Sequence, residues 1–115
     1  MTNKEFNYQD GALNAEQVPI SAIAAEVGTP FYCYSASYIE RQYKEFSASL
    51  SQIPHVVCYS IKANSNIAII KTLAQLGAGA DVVSGGELVR ALEAGIPPEK
   101  IVFSGVGKSA SELTM

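Results

Sequence analysis

From Val56 onward the chain alternates short apolar runs with amphipathic stretches at intervals of about 20 to 25 residues, the rhythm of βαβ units. That rhythm leaves few folds open, because strand, crossover helix and parallel strand build one sheet with helices packed on it. The spacing predicts strands over 56–61, 80–83 and 101–103. Between the first two, Asn64, Ser65 or Asn66 caps a helix bearing Ile67, Ile70, Leu73, Ala74 and Leu76, which Gly77 can end. Ser84-Gly85-Gly86-Glu87 reads as a capping box, with Ser84 serving the Glu87 amide and the Glu87 carboxylate reaching back. Leu88, Ala91, Leu92 and Ala94 form the buried stripe of that helix, Gly95 ends it before Pro97-Pro98, and Ser109-Ala110-Ser111-Glu112 repeats the box. Strands this few cannot close the eight-stranded barrel that repeated βα units build, and they leave an open edge at 101–103. The expectation is therefore an α/β chain, an incomplete N-terminal portion of a (β/α)8 barrel.

Upstream the pattern is weaker. Residues 1–17 are polar and without period, and read as an irregular arm. Ser21–Val27 is a short helical pattern that Gly28 can end, and Thr29-Pro30 favours extended backbone before an aromatic strand over 31–34. Ser35 caps an amphipathic helix with apolar positions Tyr38, Ile39, Tyr43, Phe46 and Leu50. The expected division is an arm and short helix over 1–28, then the first βα units over 29–115.

Composition excludes some function classes. A net charge of -3 over 115 residues, with scattered lysines and arginines, offers no basic patch for nucleic acid. No apolar run approaches the ~20 residues needed to span a bilayer, and Met1-Thr2-Asn3-Lys4-Glu5 lacks a signal-peptide layout, so a cytoplasmic protein is expected. Cys33 and Cys58 lie far apart inside apolar, strand-like segments and read as buried free thiols rather than a disulfide. His55 is the only histidine and sits at the opposite end of its strand from Lys62, so neither a metal set nor a histidine base is expected.

Lys62 ends the apolar run 56–61 and precedes a helix-opening turn. Lysine is rarely buried, so such a residue is either a snorkelling surface cation or a desolvated amine suited to Schiff-base formation with a carbonyl compound. Asp81, between Ala80 and Val82, is a carboxylate in an apolar strand; it serves a cofactor or is satisfied by backbone amides. Ser84, with Gly85 and Gly86, either caps its helix or opens an anion site at the helix start. Gly105-Val106-Gly107-Lys108-Ser109 fails as a phosphate loop, because Val102 stands where the first glycine is needed.

The segments Tyr59-Ser60-Ile61-Lys62-Ala63-Asn64 and Gly79-Ala80-Asp81-Val82-Val83-Ser84-Gly85-Gly86-Glu87-Leu88 resemble the alanine-racemase-like group of pyridoxal-phosphate decarboxylases. Thr29–Tyr34 and Ile101–Gly105 fall where that group has similar segments, and Ser84–Leu88 is closer to its diaminopimelate branch than to its ornithine and arginine branches. The resemblance implies a barrel followed by a β-rich domain that the N-terminal arm packs against, and a homodimer with shared active sites. It also implies Lys62 as the lysine that holds pyridoxal 5'-phosphate, with Asp81 near the cofactor-bound nitrogen. The implied reaction is decarboxylation of meso-2,6-diaminopimelate to L-lysine. An ornithine- or arginine-type decarboxylase and a non-catalytic cofactor-binding homologue are the alternatives, and the 115-residue chain by itself is expected to be inactive.

Overall fold

Two tight turns decide the start of the chain. The computed structural model describes residues 4–115, and the chain divides into two units, Met1–Ile39 and Glu40–Met115. In the first unit β1 (Phe6–Gln9), β2 (Ala12–Ala15) and β3 (Val18–Pro19) form an antiparallel sheet in that order. This corrects the expected irregular arm, whose first three residues lie outside the described ones. Asp10 and Gly11 take φ of 49° and 79°, the positive pair that a two-residue hairpin requires, and Gln9 pairs with Ala12 across them. Glu16, at φ 55°, opens the second turn, across which Ala15 pairs with Val18. The Asp-Gly turn outweighs the polar composition.

Helix α1 (Ile20–Val27) packs on β2 and β3 and ends where the Gly28 N–H donates to the Ala24 carbonyl at 2.9 Å. The strand expected over 31–34 does not form. Tyr32 is 91% exposed there, and among the described residues no strand pairs with the segment, so aromatic propensity has no ladder to act through. Ser35 begins α2 (Ala36–Ser49) as expected, its Oγ accepting the Tyr38 N–H at 3.0 Å. Glu16 Oε1 reinforces that start, accepting the Ser35 hydroxyl at 2.6 Å and the Ser37 N–H at 3.1 Å.

The second unit holds a parallel sheet of β4 (Cys58–Ser60), β5 (Gly79–Val82) and β6 (Ile101–Phe103), in sequence order. Ser60 stands opposite Asp81, and Asp81 opposite Val102. Helices α3 (Ile67–Gln75) and α4 (Gly85–Glu93) pack together, α4 also lies against β5, and the short α5 (Ala110–Leu113) follows β6. The core lies on the helix-covered face: Ile61, Ile70, Ala80, Val82, Ala91 and Ile96 are buried there, with Tyr59, Leu88, Ile101 and Phe103 packed around them. Leu92, expected in the stripe of α4, is 43% exposed, because Ala91 and Leu88 already fill the contact. The rhythm of βα units was read correctly, with β4 shorter than expected and β5 beginning one residue earlier.

Alternation along the strands sends Cys58, Ser60, Asp81 and Val102 to the opposite face. The core cluster does not extend to that face, and Val102 there is 52% exposed. Gly79 lies on the same face at a close approach: a Cβ there would overlap the Lys100 carbonyl oxygen and sit 2.8 Å from Cys58 Sγ. Both cysteines are free and half-buried. Among the described residues no helix is long and apolar enough to cross a membrane, and no three His, Cys, Asp or Glu side chains cluster as metal ligands.

Candidate active site

Lys62 stands in a 3-10 turn, Ile61–Ala63, directly after β4 rather than at the end of a six-residue strand. Ile61 turns fully into the helix-side core, which ends the strand and leaves Lys62 exposed. The turn is braced from several sides. The Tyr59 hydroxyl donates to the Asn64 carbonyl at 3.0 Å, spanning the turn. Asn64 Oδ1 accepts the Asn66 N–H at 3.0 Å, and Asn66 Oδ1 accepts the Ala68 N–H at 2.9 Å to cap α3. From α4, Arg90 donates to the Ser65 carbonyl at 3.1 Å. Among the described residues the Lys62 ammonium makes no hydrogen bond or ion pair. A fixed backbone thus carries a free amine at the C-terminal end of a barrel-type strand, where βα loops assemble active sites.

Asp81 lies on the neighbouring strand, half-buried, on the face opposite the core. Its Oδ1 accepts a hydrogen bond from the Ser104 hydroxyl, one residue beyond β6. Backbone amides were the expected structural partners of this carboxylate; a side-chain hydroxyl from the next strand is the one observed. Ser60 Oγ, opposite Asp81 in register, is buried and has no hydrogen-bond partner among the described residues.

Ser84 caps α4, its Oγ accepting the Glu87 N–H at 3.2 Å. The second half of the expected box differs: Glu87 Oε2 accepts from the Val83 amide at 2.7 Å rather than from Ser84. The amide at the helix start is also engaged, since the buried Gly85 N–H donates to Glu112 Oε1 at 3.0 Å. Glu112 belongs to a full capping box with Ser109 and so ties the loop after β5 to the loop after β6. The Ser109 amide, then that of Gly85, hold its carboxyl below the usual glutamate range. Lys108 donates to the Gly105 carbonyl at 2.7 Å and lies 5.4 Å from the centre of the Phe103 ring, a loop contact rather than a phosphate cradle. His55 bonds Ser47 Oγ and the Ile53 carbonyl, each at 2.9 Å, before the start of β4.

The residues present fit an aldehyde cofactor. An accessible amine projects from a braced turn, a carboxylate stands on the next strand, and a buried hydroxyl oxygen without a partner lies beside it. Sequence reasoning missed Ser104 and the bracing role of Tyr59. The signal for Tyr59 was present in the Tyr59–Asn64 motif, whereas Ser104 announces itself only once the β5–β6 register is known.

Fold and site together define a pyridoxal-cofactor domain, and comparison with known proteins agrees. The family model described as "Pyridoxal-dependent decarboxylase, pyridoxal binding domain" matches residues 36–115, and the chain belongs to that family. It is 55% identical over 108 residues to a diaminopimelate decarboxylase of Pseudomonas fluorescens, covering 94% of this chain and 26% of that protein. The crystal structure of diaminopimelate decarboxylase from M. jannaschii superposes with a TM-score of 0.93 at 36% identity, over 97% of this chain and 27% of that one. The same enzyme in complex with L-lysine gives 0.89 at 37% identity, over 96% and 27%. The chain thus spans about a quarter of the length of the relatives it matches, and its barrel is incomplete.

Proposed function

We propose that this chain contributes the cofactor-anchoring βα units of a pyridoxal-phosphate decarboxylase that converts meso-2,6-diaminopimelate to L-lysine. One observation supports the substrate above all: 55% identity across 94% of the chain to a diaminopimelate decarboxylase. In this reading Lys62 holds the cofactor through its free amine, and the Tyr59–Asn64 brace fixes where that amine stands. A lysine serves where arginine cannot, because a guanidinium stays protonated. Bound there, the cofactor supplies an electron sink for the bond to the departing carboxylate. Asp81 places negative charge on the adjoining strand and favours a protonated nitrogen at the Lys62 end of the sheet. Ser84 is the third cofactor-facing residue: its oxygen accepts from Glu87, leaving the hydroxyl hydrogen to donate. A homodimer with shared sites, in the cytoplasm, completes the proposal.

The test uses the complete protein with pyridoxal phosphate. Borohydride reduction and peptide mapping are expected to find a pyridoxyl group on Lys62, and carbon dioxide release is expected from meso-diaminopimelate in preference to ornithine or arginine. An adduct on another lysine would overturn the assignment of Lys62. A clear preference for ornithine or arginine would overturn the substrate.

A further inference from the structure

The sheet face opposite the core carries polar groups in a specific arrangement, of which the cofactor-anchoring reading uses Asp81 but gives Ser104 no role. Asp81 stands between Ser60 on β4 and Val102 on β6 in register, and one residue beyond β6 the Ser104 hydroxyl reaches back to Asp81 Oδ1. The backbone fixes this reach, because the Ser104 N–H donates to the Val82 carbonyl at 3.0 Å and continues the ladder past the strand end. Ser60 Oγ, the other hydroxyl on this face, is buried with no partner among the described residues. A carboxylate flanked in this way has its rotamer chosen for it by Ser104.

We propose that Ser104 is a positioning residue for the cofactor reaction, acting through Asp81. Its hydroxyl holds the carboxylate oxygen toward the C-terminal end of the sheet, the end at which Lys62 follows β4. A hydrogen bond to a charged acceptor is among the stronger ones a hydroxyl makes. The charge so fixed raises the proton affinity of the nitrogen that joins cofactor to Lys62. Ser104 itself is exposed and contributes nothing to the buried core, so its removal leaves packing intact. The inference rests on the reading of Lys62 and Asp81 given under Proposed function.

The experiment compares wild type, Ser104→Ala, Ser104→Thr and Asp81→Asn in the complete protein loaded with pyridoxal phosphate. Three quantities are read: the pH midpoint of the cofactor's absorption change, kcat and KM. Ser104→Ala is expected to lower the midpoint by about one pH unit and kcat by about tenfold, the loss of one charge-assisted hydrogen bond. Asp81→Asn is expected to move both further in the same direction, and Ser104→Thr, which keeps the hydroxyl, to restore them. A Ser104→Ala protein with the wild-type midpoint and kcat overturns the inference, as does one whose only change is in thermal stability. If wild type carries no pyridoxyl group on Lys62, the underlying reading fails and the inference with it. If wild type carries it and only Ser104→Ala is silent, the inference alone fails.

Discussion

Gly105→Ala tests whether the approach of two loops, rather than the side chains alone, holds the site together. A Cβ on Gly105 would lie 2.7 Å from the Val83 carbonyl oxygen, 3.0 Å from its Cα and 3.1 Å from its carbonyl carbon. All three are backbone atoms, so no rotamer change relieves the overlap, and the loops after β5 and β6 must part by a few tenths of an ångström. Overpacking of this kind costs about 1 to 3 kcal/mol. The separation acts next to Ser104, whose N–H to the Val82 carbonyl, at 3.0 Å, is the last rung between the strands, and whose hydroxyl reaches Asp81. Gly107→Ala is the control. Gly107 has open space around its Cβ position but a φ of 71°, so alanine there costs about 1 kcal/mol of backbone strain without pushing the loops apart. Denaturant midpoints and pyridoxyl incorporation at Lys62, measured at fixed cofactor concentration in the complete protein, separate the two. Both variants are expected to lose stability, and Gly105→Ala alone to lose several-fold in incorporation beyond that, since about 1.4 kcal/mol corresponds to tenfold. Equal incorporation by the two variants at equal stability would refute the reasoning.

Tyr59→Phe removes the hydroxyl that spans the Lys62 turn and is expected to cost about 0.5 to 1.5 kcal/mol. Hydrogen exchange should speed up at the amides of residues 62–66 and not in α1; unchanged exchange at the turn would show that the brace is idle. Glu16 makes a pH prediction. The Ser35 hydroxyl, then the Ser37 groups, hold its carboxyl below the usual glutamate range, so its contribution to stability is present above the unfolded-state pKa and is lost as pH falls through the folded one. The effect is small because the group is open to water. Glu16→Gln is expected to flatten the stability curve between about pH 5 and pH 2, and a curve parallel to wild type there would sink the assignment.

The second unit was legible in the sequence because each of its elements is specified locally. The apolar runs, the glycines at helix ends and the Ser84 and Ser109 caps all sit within a few residues of what they control, and Ser84, Ser109, Gly77 and Gly95 do what their spacing predicts. The first unit misled for a related reason: one Asp-Gly pair at positive φ creates a hairpin from residues whose composition is that of a loop. Tyr32 and Tyr34 misled in the opposite sense, since strand propensity is realised only against a neighbouring strand.

The polar partners were not legible, and the reason lies in how a sheet uses its two faces. On the helix-covered face apolar residues recur at fixed spacing and the pattern betrays itself. On the other face Asp81 meets Ser104 at a separation of 23 residues, and at the start of α4 Gly85 meets Glu112 at 27. These pairings depend on the register of β5 with β6 and on the length of the loops that follow, neither of which any local pattern encodes. Lys62 could be singled out because a cation after an apolar run is anomalous by itself. Serine is ordinary after any strand, so Ser104 acquires meaning only from the carboxylate that folding brings to it.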